Sequence, residues 1–309
     1  MLSEVVFMKG SYFKCPWALC FALVFGQLGL AERQVERSNI LFVFGENWGM
    51  DTGAYCNTVV STLVFDRLAE EGVLFTHAFA TAPSCSPSKA SVLTGQMHWR
   101  LGASVSHSNE VESMLNVRYR TYADALLEAG YATGYTGKGG WKNQFNKAPE
   151  GAGRVHNPAG EVSLPFDAFI ENQPEGQPFC YWLGSGYAHR KFKPGSGVES
   201  GKKLEAVSVP PCWPDVAEIR SDILDYYVEV EEGDRDAGQA IEILEQKGLI
   251  ENTIVIIAGD HGWSFPMAKA NLYDMGLRVP LVVRWGNRIQ GPTVARGRVI
   301  EDLVSLQDL

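Results

Sequence analysis

Asn39-Ile40-Leu41-Phe42-Val43-Phe44-Gly45, followed at once by Glu46-Asn47, is the stretch from which the fold is read. Its apolar residues run without alternation and end on a glycine, the pattern of a short strand buried on both faces. The same kind of run returns as Thr253–Ala258 (TIVIIA), followed by Gly259-Asp260-His261-Gly262, and as Pro280–Trp285 (PLVVRW). Tyr131–Thr136 and Pro178–Gly184 read as further strands, and Val73–Ala80 as extended chain. Between them lie helical segments. Leu63–Glu71 is stopped by Gly72, and Tyr122–Ala129 is capped by Thr121, with Asp124 three residues on and Gly130 as the stop. The longest helix is expected from Val216 to Lys247, because Val216, Ile219, Ile223, Tyr227, Val230, Ala237, Ile241 and Leu244 recur at helical spacing. Asp215 with Glu218 forms a capping box at its start, and Gly248 ends it. Strands alternating with helices point to an α/β fold whose mostly parallel central sheet is flanked by helices. Residues 142–176 and 186–214, rich in Gly, Pro and charge, read as long surface loops that shape a substrate pocket.

The chain has 309 residues and is 45% hydrophobic, enough to bury a core and too much for a disordered chain. Its 27 Lys and Arg against 36 Asp and Glu give a net charge of −9, with no basic block, so no nucleic-acid partner is expected. An acidic surface repels polyanions, and a sulfated or phosphorylated substrate would need a locally positive pocket.

At the N-terminus, Lys9 and Lys14 precede the apolar run from Pro16 to Leu30, which closes on Gly29-Leu30-Ala31. Residues 1–31 are therefore expected to be a signal peptide, and the protein secreted or periplasmic. The run is shorter than the roughly 20 apolar residues a spanning helix needs and contains Gly26 and Gln27, so no stable membrane span is expected. Cys56, Cys180 and Cys212 receive no role, since spacing alone does not assign a disulfide.

Open parallel sheets place their sites at the carboxyl ends of their strands. Four such ends carry polar clusters: Glu46-Asn47, Asp260-His261, the Gly137-Lys138-Gly139-Gly140 turn, and Tyr187-Ala188-His189-Arg190. Glu46, Asn47 and Asp260 offer hard oxygen donors and His261 a nitrogen, a set suited to Ca²⁺, which tolerates irregular geometry, or to Mg²⁺. Lys138, His189 and Lys269 offer positive charge for an anion. Taken singly, each cluster also fits an ordinary helix cap or a loop histidine.

Ser84–Gly95, SCSPSKASVLTG, resembles the sulfatase signature C-x-P-S-R-x-x-x-L-T-G, matching it at Cys85, Pro87, Ser88, Leu93, Thr94 and Gly95, with Lys89 where the family has Arg. The resemblance continues in family order through NILFVFGENWGMDTGAY, GYATGYTGKGG, PFCYWLGSGYAHR, TIVIIAGDHG, KANLYDMGLRVPL and VSLQDL. VPPCWPD and FPMAKANLYDMG are most like the heparan N-sulfatase (sulfamidase)-like branch. What this implies is an alkaline-phosphatase-like sandwich, with residues 32–309 forming the N-terminal part of the catalytic domain and the smaller C-terminal subdomain largely missing. It further implies that a maturation enzyme oxidises Cys85 to formylglycine, whose hydrate is the nucleophile. One hydroxyl of the diol attacks sulfur and the other later expels sulfate, an exit that a thiolate adduct lacks. By the same resemblance Glu46, Asn47, Asp260, His261 and the matured Cys85 bind the metal. Lys89 lies beside the nucleophile, and Lys138, His189 and Lys269 hold sulfate or protonate the leaving group. The implied substrate is a sulfated carbohydrate, with cleavage of a sulfate ester or an N-sulfate.

The pattern departs from the family at two places. Glu46-Asn47 replaces Asp-Asp, which lengthens one ligand and removes a charge from the other, so weaker metal binding is expected. Lys89 replaces a planar bidentate guanidinium with a point charge, at a residue that the maturation enzyme also reads. These departures motivate an alternative, a catalytically impaired sulfatase-like protein that binds sulfated glycan. A further alternative is a phosphatase or phosphodiesterase of the same superfold with Ser86 or Ser88 as nucleophile.

Overall fold

The computed structural model describes residues 37–102, 119–137, 157–286 and 297–309, and Ser38–Leu309 make up one folded unit. The leader expected over 1–31 lies outside the described residues, as does Lys138. Among the described residues no helix is long and apolar enough to cross a membrane.

In chain order the elements are β1 (Asn39–Gly45), α1 (Leu63–Glu71), β2 (Val73–Phe79), α2 (Cys85–Thr94), α3 (Tyr122–Glu128), β3 (Ala132–Gly137) and β4 (Val162–Ser163). There follow α4 (Phe166–Glu171), β5 (Phe179–Gly184), α5 (Ser196–Glu199), α6 (Ala217–Gln246), β6 (Thr253–Gly259), α7 (Asp274–Leu277), β7 (Arg278–Trp285), β8 (Arg298–Ile300) and β9 (Val304–Ser305). One sheet runs in the order β4-β3-β5-β1-β6-β7-β2-β8, with β9 beside β2. Of the described strands, β7 alone is antiparallel to its neighbours, β6 and β2; all other pairings are parallel.

β1 shows why the opening run is continuous. Leu41 and Val43 face a core shared with α1, α4 and α6, whereas Phe42 and Phe44 face a second core with α2 and Trp182. Both faces are covered, so Ile40 to Phe44 are all apolar. The long helix α6 supplies much of the first core through Ile223, Leu224, Tyr226, Tyr227, Val230, Ala237, Ile241 and Leu244. It also holds two shorter helices by their N-termini. Asp234 accepts from Val64 N (3.0 Å) and Phe65 N (2.8 Å) at the start of α1, and Asp225 accepts from Gly195 N and Gly197 N, both at 2.8 Å, at the start of α5. These carboxylates satisfy N–H groups that no residue of the short helices reaches.

Two sequence expectations are corrected. The capping box of Asp215 with Glu218 does not form: Val216 is the N-cap residue and makes no side-chain bond, because Asp215 turns instead to a bidentate pair with Arg220 (2.6 and 2.8 Å). The stretches expected to be long loops contain β4, α4 and α5, and α4 buries Phe166, Phe169 and Ile170 against the sheet. The Gly- and Pro-rich flanks masked these short elements. The capping box of Thr121 with Asp124 forms as expected.

Candidate active site

Parallel pairing brings the strand ends together. Gly45 of β1 pairs with Gly259 of β6, and Phe44 pairs with Gly184 of β5, so the residues that follow each strand emerge side by side at one edge of the sheet. Glu46, Asn47, Asp260 and His261 all have zero exposed surface there. Gly262, which follows them, cannot carry a side chain, since a Cβ would fall 1.8 Å from Met275 O.

Asn47 organises this edge. Its backbone sits in the left-handed region (φ 49°), which asparagine tolerates better than most residues. That turn lets its N–H donate to Asp260 Oδ1 (2.7 Å) while its side-chain amide donates to Ala188 O (3.0 Å). Its Oδ1 accepts from Lys269 Nζ at 2.9 Å. Tyr226, from α6, donates to Asn47 O (3.1 Å) and accepts from Gly49 N (3.0 Å), fixing the loop from beneath. The sequence reading passed over Tyr226; its only signal is its place next to Tyr227 on the buried face of a long amphipathic helix.

Cys85 is the first residue of α2 and is buried. Its position is tied down twice, by Ser88 Oγ donating to Asp260 O and by Ala270 N donating to Pro83 O at 2.8 Å, which also anchors the segment carrying Lys269. One ligand atom each from Glu46, Cys85 and His261 lie within 4.8 Å of one another. Burial raises the Cys85 thiol above its ordinary value, and the carboxylates of Glu46 and Asp260 raise it further against the opposing pull of Lys89 and Lys269. As cysteine it is a protonated thiol at neutral pH.

Lys89, one turn along α2, is 1% exposed. Its ammonium donates to Glu46 Oε2 and lies 3.0 Å from Asp260 Oδ2. Burial works against the charge, but Asp260 and Glu46 outweigh it and hold the amine above its ordinary value. Asp260 Oδ2 has no hydrogen bond among the described residues, its contact with Lys89 being an ion pair alone. His261 accepts the opposite description: burial lowers its basicity, its Nδ1 is bonded to Gly262 O (2.8 Å), and its buried Nε2 has no hydrogen-bond partner among the described residues. Glu46, Cys85 and His261 each turn a ligand atom to this edge, a group that could hold a metal ion, with the carboxylate of Asp260 beside it.

Of the expected site residues, Glu46, Asn47, Cys85, Lys89, Asp260, His261 and Lys269 are brought together. His189 is not drawn into the buried cluster: its ring is exposed and its Nδ1 is bonded to Arg190 O (2.7 Å), although the neighbouring Ala188 carbonyl belongs to the Asn47 network.

Residues 38–309 match the profile of the family described as Sulfatase. The chain is 28% identical over 331 residues to the N-sulphoglucosamine sulphohydrolase of Homo sapiens, covering 96% of this chain and 63% of that protein. It is 26% identical over 293 residues to an ulvan-active sulfatase of Formosa agariphila, covering 84% of this chain and 49% of the relative. The chain thus spans about half to somewhat less than two thirds of the length of these relatives. The solved structure of yidJ from Bacteroides fragilis superposes with a TM-score of 0.68 at 21% identity, covering 90% of this chain and 73% of that one, and shares the alkaline-phosphatase-like fold.

Proposed function

The chain belongs to the sulfatase family, and from that premise we propose that it carries the catalytic centre of a secreted or periplasmic hydrolase that removes sulfate ester or N-sulfate groups from a sulfated sugar, with Cys85 as the nucleophile position. One observation carries the reading: Cys85 heads α2 within 4.8 Å of Glu46 and His261, in a buried cluster that also holds Lys89, Asp260 and Lys269. A thiolate attacking sulfur would leave an adduct with no easy exit, which a hydrated aldehyde at the same position provides.

Formylglycine, made from Cys85 by a maturation enzyme, would supply that nucleophile as a hydrated aldehyde. Glu46, Asn47, Asp260, His261 and the matured residue would hold a divalent cation, Ca²⁺ or Mg²⁺, which when bound polarises the sulfate oxygens. The remaining work falls to this chain's own groups. The N-terminal end of α2 directs its dipole at an anion lying over Cys85. Lys269, steadied by Asn47, contributes a positive charge at the same edge of the sheet. His189, exposed beside the cluster, is suited to giving a proton to the departing sugar group, and Lys138, one residue past β3, to binding sulfate.

Mass spectrometry of the peptide spanning Cys85, after expression with a formylglycine-generating enzyme, tests the reading together with sulfate release from N-sulfated and O-sulfated glucosamine. An aldehyde at position 85 and sulfate release that Cys85→Ala abolishes are expected. Converted protein that binds these sugars without releasing sulfate would instead establish the impaired, glycan-binding alternative, which Lys89 and the Glu46-Asn47 pair favour. The phosphatase alternative is disfavoured at Ser88, whose buried hydroxyl is committed to Asp260 O.

A further inference from the structure

The position of the Lys89 ammonium raises a question about the cation site. It lies between the two carboxylates, Glu46 and Asp260, that any divalent cation at this edge would need. Both carboxylates and the lysine are essentially without solvent exposure. Lys269 adds a second ammonium at Asn47 Oδ1. The Lys89 ammonium therefore already holds the place between the two carboxylates that a cation would need.

We propose that Lys89 is the built-in counter-ion of this carboxylate pair and competes directly with the divalent cation for it, so that a metal enters only as the ammonium swings off Glu46 and Asp260. The inference rests on reading Glu46, Asn47, Asp260 and His261 as a cation site. Geometry supports the exchange: Asp260 Oδ2 holds Lys89 without a hydrogen bond, so this half of the clamp is the weaker one. Lysine suits such a device because its single ammonium sits on a flexible stem, whereas the planar guanidinium of arginine is fixed by its fork. The cluster is then stable without metal, since neither carboxylate is left as an uncompensated buried charge.

The test is calorimetric titration of Ca²⁺ into the full chain and its variants in metal-free buffer. Lys89→Met should bind Ca²⁺ at least about tenfold more tightly than the parent, because a unit positive charge has been removed from beside the ligands. Lys89→Met unfolded in chelator and refolded by Ca²⁺ would support the proposal equally, the ion having taken the place of the ammonium. Should that variant stay unfolded in both conditions, the comparison moves to Glu46→Gln against Glu46→Gln/Lys89→Met, where one carboxylate remains and the double variant should again bind more tightly. Affinities equal within twofold, with binding lost in Asp260→Ala, would overturn the competition and leave the cation site standing. Absence of Ca²⁺ binding in parent and Lys89→Met alike would overturn the cation site and the competition with it.

Discussion

Asp51 is a carboxyl group that should make the stability of this protein fall as pH rises. It lies on the loop that leaves the Glu46-Asn47 pair, is 5% exposed, and its Oδ2 has no hydrogen-bond partner among the described residues. Burial raises its pKa from 3.8 to about 7, against hydrogen bonds from Asn57, Trp263 and Tyr227 that favour the charged form. In the unfolded chain the group ionises near 3.9. Between those two values the folded state keeps a proton that the unfolded state has released, so stability is fully present below about pH 4 and is lost as pH climbs through 7. The slope is about 1.4 kcal/mol per pH unit, which amounts to about 3 kcal/mol between pH 4.5 and 7.5. Asp51→Asn mimics the protonated acid and should remove this component. Urea denaturation of both proteins across that range, analysed as the difference between the two profiles, isolates Asp51 from other titrating groups such as Asp234, which burial raises to about 6. The variant should gain on the parent steadily with pH. Profiles that stay parallel within about 0.5 kcal/mol would refute the reasoning, because Asp51 would then titrate alike in both states.

Three further outcomes are expected. Asp234→Ala strands the N–H groups of Val64 and Phe65 at the start of α1 and should cost about 2–3 kcal/mol in urea denaturation, whereas Asp234→Asn, which keeps an acceptor, should cost less. Ca²⁺ at about 100 times its dissociation constant should stabilise the folded chain by about 2.7 kcal/mol, visible as a rise in melting temperature that chelator reverses and Asp260→Ala abolishes. Lys89→Arg restores a planar fork at the signature position and should raise both formylglycine content and the rate on a sulfated aryl ester. A gain near 10²-fold per converted molecule would place the lysine's effect in charge stabilisation, and a gain in conversion alone would place it in maturation.

The strands, the helices α1, α3 and α6, and the segments that carry the candidate site are legible in the sequence because they depend on local properties. A run such as NILFVFG must be a doubly buried strand to hide its side chains, and SCSPSKASVLTG carries its spacing wherever it sits. Sequence also shows that Glu46, Asn47, Asp260 and His261 follow strands, which predicts that they share an edge once those strands pair in parallel. It does not show which atoms meet. Short elements such as α4 escaped, since six residues hold too little periodicity and α4 is stabilised by burying Phe166 and Phe169 against a sheet that local sequence does not reveal. Asp215 reads as a capping residue, and only the nearby Arg220 in the folded chain draws it away. Likewise Lys89 reads as a neighbour of the nucleophile. That its ammonium lies between Glu46 and Asp260 follows from the packing of α2 against the ends of β1 and β6, segments 43 and 171 residues away along the chain. Sequence therefore determined which groups are present and on which elements they ride. Tertiary structure decided their pairing, because the energy of a buried charge depends on what stands within a few ångströms of it.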